Sequence, residues 1–227
     1  MAATSKKPPT YESIRDLGHT RQILLDAAAR VFAEKGLAGT RIDDLVAASG
    51  GVNRSMIYYI FSSKHGLYRE VLKHILERGR EIMLPMLMQT GGDPRQGGGL
   101  LRTSVVTLHK IYADNPQWAK LLLRETLDGG EDLRWAIESI PDFHVSKQTA
   151  MALLEQARDR NLIRLENPHA FIVFIQVVPL ILPVVKPILG MLFPPEADVD
   201  AQVSMESWQQ LLEEMVARFV RQDPVQS

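Results

Sequence analysis

The chain has 227 residues, of which 45% are hydrophobic, a length that suits one large domain or a small domain joined to a larger one. The formal net charge is −1, so the chain as a whole gives no electrostatic sign of a nucleic-acid partner. Cysteine is absent, which excludes a disulfide framework, thiolate metal ligands and a cysteine nucleophile. This composition is typical of the reducing cytoplasm, where we expect the protein to reside.

The charge is unevenly distributed along the chain. Residues 1–64 carry a formal charge of +3, which leaves −4 for the remainder. The first ten residues, MAATSKKPPT, are basic and proline-containing but are not followed by an apolar stretch, so they do not resemble a secretory signal. We expect residues 1–18 to form a flexible arm.

Helical periodicity begins at Thr20 and continues to Lys35, where Gly36 is a stop signal. The following segment, TRIDDLVAAS, opens with Thr40 and has Asp43 three residues later, a pattern that predicts a capping box at the start of a short second helix.

Two glycines, Gly50 and Gly51, predict a sharp reversal after the second helix, because glycine adopts positive φ without steric cost. Asn53 is a good cap for a third helix, whose inward positions are Ile57, Ile60 and Phe61. Three helices with a glycine turn between the short second and third form a helix-turn-helix arrangement. We place this head at residues 19–66.

The remainder, residues 67–227, shows further helical blocks and no convincing strand alternation. A long fourth helix covers residues 64–87, and residues 91–99 form a glycine-rich loop. Further helices are predicted over residues 100–113, after Asn115 and Pro116, around residues 131–140, and from residue 142 to 161. The fold class is therefore all-α, with a larger helical domain after the head.

Residues 171–193 are apolar enough to cross a bilayer, and a membrane-associated helical protein is the alternative interpretation. The acidic flanks, without a basic or aromatic girdle, favour a buried helix that begins at Asn167 and Pro168. The last predicted helix, residues 201–221, has a continuous apolar stripe. Together these segments predict a homodimer, with no membrane contact. The alternative is that both helices only close the bundle of their own chain. The stripe residues expected at the dimer interface are Trp208, Leu212, Met215 and Phe219.

Thr20 to Leu67 resembles the DNA-binding region of the tetracycline-repressor-like (TetR) transcriptional regulators. The resemblance rests on the runs AAARVFAEKG, DDLVAASG and IYYIFSSK, and it covers about a fifth of the chain. It implies a homodimer that places the third helix of each subunit in successive major grooves of a palindromic operator. A small molecule that enters the larger domain would release the DNA, as expected of a repressor.

The resemblance also implies roles for individual residues of the head. Asn53 lies at the start of the third helix, and the positions matching base-facing residues are Arg54, Ser55, Met56 and Tyr59. The positions matching phosphate-holding residues are Thr40, Arg41, Tyr58 and Lys64. Two departures from the family pattern are the additional glycine at Gly51 and an isoleucine, Ile60, where relatives often have histidine or tyrosine.

Chemistry other than binding has little support in this sequence. The six histidines never fall at the i, i+4 spacing of a helical metal pair with a carboxylate, and the glycine-rich loop lacks the lysine and hydroxyl of a phosphate-binding loop. We expect no enzyme, no metal and no cofactor. The effector is expected to be a hydrophobic or amphipathic compound in a mostly apolar cavity. Its candidate contacts are His109, Trp118, Arg124, Phe143, His144 and Gln176.

Overall fold

The computed structural model describes residues 11–89, 97–164 and 167–192, together with seven helical residues near the C-terminus: 206, 207, 210, 211, 214, 215 and 218. No β-strand occurs among these described residues. The helices with defined bounds are α1 (Tyr11–Gly39), α2 (Ile42–Ala48), α3 (Arg54–Phe61), α4 (Lys64–Gln89), α5 (Gly97–Asp114), α6 (Pro116–Leu127), α7 (Glu131–Glu138), α8 (Phe143–Asp159) and α9 (Pro168–Leu192). The predicted all-α class is confirmed.

Helix α1 begins earlier than its periodicity predicts. It starts at Tyr11, so residues 11–18 of the expected arm are helical. At its other end, Gly36 departs from helical geometry with φ 70° and ψ 174°, as its stop signal predicts. The chain bends there before one more short turn.

The start of α2 differs by one residue from the predicted capping box. The hydroxyl of Thr40 donates a hydrogen bond of 2.6 Å to the carbonyl of Gly36, which closes the end of α1. Because Thr40 is used there, Arg41 becomes the cap of α2, and the carboxylate of Asp44 accepts a hydrogen bond of 2.8 Å from its backbone N–H. Asp43 therefore does not form the predicted capping box.

The turn between α2 and α3 is confirmed in detail. Gly50 and Gly51 have φ values of 74° and 87°, a region in which other residues are strained. Asn53 then caps α3 by accepting a hydrogen bond of 2.9 Å from the backbone N–H of Ser55. Ile57 and Phe61 are buried on its inner side, as predicted.

The core of the head extends beyond the expected boundary at residue 66. Its buried residues come from α1, α2, α3 and α4, and Leu121 and Leu122 of α6 and Ala136 of α7 join the same cluster. Helix α6 packs directly along α1. The proposed boundary is therefore crossed by continuous apolar packing, and the long α4 belongs to both parts.

A second cluster joins α5, α8 and α9. Its buried residues are Val105, Leu154, Ala157, Ile163, Phe171 and Ile175. Helix α5 begins at Gly97, so the predicted loop over residues 91–99 is wrong for its last three residues. The predicted start of α9 is confirmed, since the side chain of Asn167 accepts a hydrogen bond of 3.0 Å from the backbone N–H of Ala170.

Helix α9 is only partly covered by the other described residues. Among the described helices, the segment Pro168–Ile188 alone is long and apolar enough to cross a membrane, and 22% of its most apolar window is buried. Its exposed apolar residues are Val173, Phe174, Val177, Ile188 and Met191. Of the predicted interface residues after it, Met215 is helical and half-buried, whereas Trp208, Leu212 and Phe219 lie outside the described residues.

Candidate nucleic-acid interface

Helix α3 presents a polar face on a buried apolar base. Ile57 and Phe61 fix it to the core, and the guanidinium of Arg21 lies 5.8 Å from the centre of the Phe61 ring. The outward side chains include Arg54, Tyr58 and Tyr59, all exposed. The two tyrosines are large apolar rings left in solvent, which needs a functional reason.

The N-terminal turn of α3 is ordered by local hydrogen bonds. Besides capping the backbone, Asn53 accepts a hydrogen bond of 3.0 Å from the hydroxyl of Ser55. Both residues remain exposed, while Met56 is half-buried beside them. Asn53 thus fixes the helix start from which Ser55 and Met56 project.

Arg54, the first residue of α3, forms an ion pair with Asp43 of α2 through its Nη2 atom. This pair connects the two short helices across the glycine turn. The hydrogen bond and the charge of Asp43 raise the pKa of Arg54, whose guanidinium is positively charged in any protein environment.

Thr40 is buried at the end of α1. Thr40 is only 2% exposed and its hydroxyl donates to the carbonyl of Gly36, so a phosphate contact of this residue stays a prediction. Arg41, its neighbour, is exposed and its backbone is fixed by the cap that it forms with Asp44. Of the two side chains, that of Arg41 is the more accessible.

Lys64, the first residue of α4, lies at the rim of the head. Its ammonium group donates hydrogen bonds of 2.7 Å to the carbonyls of Leu37 and Thr40. Since an ammonium has three N–H groups, one is left for a further acceptor. Lys64 therefore ties the start of α4 to the end of α1.

The sequence of the head matches a known family. Residues 24–71 match the profile described as "Bacterial regulatory proteins, tetR family". The DNA-binding head, residues 24–71, is therefore similar to that of the TetR family. The profile covers the helix-turn-helix unit and the first turns of α4, which are the elements just described.

Two curated relatives and one solved structure extend this comparison. The HTH-type transcriptional repressor NicS of Pseudomonas putida is 32% identical over 111 residues, 49% of this chain and 50% of NicS. The HTH-type transcriptional repressor KstR2 of Rhodococcus jostii is 36% identical over 70 residues, 31% of this chain and 34% of KstR2. The chain thus spans half or less of the length of these relatives.

The structure of HlyIIR, a hemolysin II transcriptional regulator, covers 91% of this chain and 99% of its own with a TM-score of 0.63. At 19% identity it shows that the two proteins share a fold. The shared fold extends over the helical domain that follows the head.

The six candidate effector contacts have different surroundings. His109 is buried on α5 and Gln176 is half-buried on α9, and these two helices pack together. Phe143 is buried at the start of α8, with the exposed His144 ring at 5.8 Å between centroids. Trp118 packs against the head core, and Arg124 donates a hydrogen bond of 3.3 Å to the carbonyl of Glu34 on α1. Trp118 and Arg124 therefore lie where α6 meets the head.

Sequence reasoning missed a polar network at this junction. The buried carboxylate of Glu125 accepts a hydrogen bond of 2.8 Å from the Tyr68 hydroxyl. Its other oxygen accepts hydrogen bonds from the backbone N–H groups of Asp132 and Leu133, at 2.9 and 3.3 Å, and so caps α7. Burial is the larger cause of a raised pKa of Tyr68, and the hydrogen bond to Glu125 raises the pKa further. The sequence signal for this network was the position of Glu125, which lies four residues after Leu121 and so on the same side of α6.

A second carboxylate completes the junction. Asp132 accepts a hydrogen bond of 2.6 Å from Arg69 Nε, and His65 Nε2 lies 2.8 Å from the same carboxylate. Burial by itself would raise the pKa of Asp132, but these two partners outweigh it and lower the pKa. Helix α4 is thus joined to α7 directly beside the first turn that carries Lys64.

Proposed function

We propose that this chain is a transcriptional repressor that binds a palindromic double-stranded DNA operator as a homodimer and is released by a small molecule. The proposal includes a cytoplasmic location and no catalytic activity. It is supported by the TetR-family match of the head and by curated relatives that are repressors.

The exposed polar face of α3 carries this proposal. An α-helix fits the major groove of B-DNA, and residues near its N-terminus reach the base edges. Arg54, Ser55 and Met56 occupy the first turn, and Tyr59 lies about one turn further along the helix. We assign these four to base contacts, with Arg54 positioned for the O6 and N7 atoms of a guanine.

Phosphate contacts would fix the helix in the groove. We assign them to Arg41, to the hydroxyl of Tyr58 and to the remaining N–H group of Lys64. These groups lie on α2, α3 and α4 or at their ends, so they would hold the head at several points around the groove. The formal charge of +3 in residues 1–64 favours the same surface.

A palindromic operator requires two heads related by a two-fold axis. The uncovered apolar face of α9 is the described surface best suited to join two chains, because a contiguous apolar face on a soluble protein favours association. We propose that it pairs with the same face of a second copy. Met215, Trp208, Leu212 and Phe219 would extend this interface.

For the effector we propose a hydrophobic or amphipathic compound bound among α5, α8 and α9. The cluster that joins these helices is apolar, and His109 and Gln176 are the polar candidates on α5 and α9. The junction of Tyr68, Glu125 and Asp132 gives the helical domain a direct contact with α4, through which binding would reach the head.

The operator assignment is tested by selection from a random double-stranded DNA library with the full-length protein, followed by mobility shifts across a salt series. The wild type is expected to enrich a palindrome. Arg54→Ala should lose about 1–3 kcal/mol per half-site and relax the preference at one position. Arg78→Ala is a matched control, since Arg78 lies 14 residues along α4 and pairs with Glu81. Failure of the wild type to enrich any sequence would reject the proposal.

The membrane alternative rests on the length and the exposed face of α9. Against it, Phe171 and Ile175 of α9 are buried in the chain's own core, and Lys186 lies within the segment. Cell fractionation separates the two proposals. Folded protein found only in the detergent-extracted membrane pellet would support the alternative, and recovery in the soluble fraction supports the repressor.

A further inference from the structure

Asp43 is an unexpected residue on a surface that faces DNA. Its side chain is 76% exposed, and its ion-pair partner Arg54 is 56% exposed. A carboxylate close to a groove repels the phosphates on both sides of it, which weakens binding to any sequence. Its presence beside the main base-reading candidate therefore needs an explanation other than affinity.

The neighbouring acid already performs the structural work of this turn. Asp44 accepts the backbone N–H of Arg41 and an ion pair of 2.7 Å from Lys35 on α1. These contacts fix the start of α2 and join it to α1. Asp43 instead points toward α3, and its hydrogen bond to Arg54 spans 11 residues of chain.

We propose that Asp43 is a specificity-determining positioning residue, which holds the guanidinium of Arg54 ready for a guanine. The proposal rests on the repressor function proposed above. Asp43 engages Nη2, and a guanidinium has five N–H donors, so enough remain for the two acceptors of guanine. Fixing a long side chain before binding reduces the conformational entropy lost on binding.

The charge of Asp43 lowers the affinity for all DNA sequences alike, because the carboxylate repels phosphates whatever the bases are. On the operator, the guanine contact of the positioned Arg54 compensates for this repulsion. On non-specific DNA, Arg54 has no guanine partner and the repulsion is not compensated. The positioning of Arg54 therefore sets the ratio of specific to non-specific affinity, while the charge lowers both affinities.

Two substitutions separate positioning from charge. Asp43→Ala removes both the contact and the charge, whereas Asp43→Asn removes the charge but keeps a hydrogen-bond acceptor of the same shape. Asp26→Asn is a control that removes one charge elsewhere on the head, since Asp26 pairs with Gln22 and lies near His74 of α4. Each full-length variant is tested on the duplex selected by the wild type, on its single-base variants and on a scrambled duplex.

We expect Asp43→Ala to relax the preference at the same operator position as Arg54→Ala. An exposed ion pair is worth about 0.2–1 kcal/mol, so the loss of discrimination should be about twofold to about 30-fold for two half-sites. Asp43→Asn should lose less discrimination. Both should bind the scrambled duplex more tightly than the wild type at low salt and similarly to it at high salt. In the double variant with Arg54→Ala, loss of Asp43 should cost no further discrimination.

Other results would overturn the inference. If Asp43→Ala keeps the base preference and tightens binding to all duplexes alike, Asp43 only opposes the charge of DNA. If discrimination falls only in proportion to a fall in thermal stability, Asp43 has a structural role. If Arg54→Ala itself leaves the preference unchanged, the inference fails while operator binding stands. If the wild type selects no sequence, the repressor function and the inference fail together.

Discussion

At the scale of single residues, Lys64 has a structural role in addition to the phosphate contact proposed for it. Its two hydrogen bonds to the carbonyls of Leu37 and Thr40 hold α4 against the end of α1 in the absence of DNA. A positive charge at these carbonyls also complements the C-terminal end of α1. The proposed phosphate contact uses the N–H group that these bonds leave over.

Lys64→Met should therefore have two measurable effects. The free energy of unfolding, measured by urea denaturation, should fall by about 1 kcal/mol because charged hydrogen bonds to two carbonyls are lost. Affinity for all DNA sequences should fall alike, and the slope of log affinity against log salt should decrease by about 0.9 per half-site. Lys73→Met, which removes only an ion pair with Glu77 on the same helix, is the control. An unchanged stability of Lys64→Met would contradict the tie to α1.

Asp132 gives the junction a defined pH dependence. Its pKa is lowered from an ordinary value of 3.8, so its ionised form stabilises the folded state above that pH. This stabilisation is lost as the pH falls below 3.8 and through the lowered pKa. Asp132→Asn should thus be less stable than the wild type at pH 7, by about 1 kcal/mol for the loss of charge-assisted hydrogen bonds to Arg69 and His65. The difference should shrink below pH 3.8. A stability difference in urea that persists unchanged at low pH would contradict this assignment.

At the scale of elements, only Ser62 and Ser63 connect α3 to α4. Ser62 has φ 64°, and Ser63 accepts a hydrogen bond of 2.8 Å from the backbone N–H of Gly66. A Cβ at Gly66 would lie well under 3.0 Å from the carbonyl oxygen of Phe61. The absence of a side chain at Gly66 is what allows α4 to turn so closely after α3.

A pair of glycine substitutions on α4 tests this close approach. Gly66→Ala should destabilise the protein by about 1–3 kcal/mol, because the backbone of α3 has to move. Gly79→Ala should stabilise it by about 0.5–1 kcal/mol, because alanine favours the helix and the added methyl group meets no atom within 4 Å. Thermal unfolding of the two variants provides the comparison. Equal stability of the two variants would show that the connection between α3 and α4 tolerates a side chain at Gly66.

At the scale of the whole molecule, two main apolar clusters join different sets of helices. The larger one runs from the head into α6 and α7, and the smaller one joins α5, α8 and α9. Helix α9 contributes Phe171 and Ile175 to the smaller cluster, and its other apolar face is exposed among the described residues. Within the described part of the chain, apolar packing is therefore continuous around the head and incomplete along α9.

Val173→Glu should weaken dimerisation and operator binding together, because Val173 is 60% exposed on the proposed interface and its change spares the core. Trp208→Glu and Phe219→Glu are predicted to act in the same way. Leu127→Glu is the control, since Leu127 is exposed at the end of α6. Analytical ultracentrifugation combined with mobility shifts measures both properties. A monomeric wild type that binds its operator tightly would reject the proposed dimer.

Local signals in the sequence determined most element boundaries of this chain. Asn53 before α3, Pro116 in α6, and Asn167 with Pro168 at α9 mark helix starts. Caps and glycine turns act within about four residues, so the sequence contains them directly. The family runs of the head add the helix-turn-helix unit and its candidate base-reading face.

Only the tertiary structure decided which polar groups meet across helices. Thr40 was assigned to phosphate from its position, yet the bend at Gly36 brings a carbonyl to its hydroxyl. Tyr68 and Glu125 are 57 residues apart in the chain. Their contact exists because α4, which carries Tyr68, and α6, which carries Glu125, both pack against α1. Asp43 and Arg54 meet because Gly50 and Gly51 reverse the chain between them. The hydrophobic periodicity of the sequence does not predict such pairs, because they depend on how the helices pack and which side chains are buried.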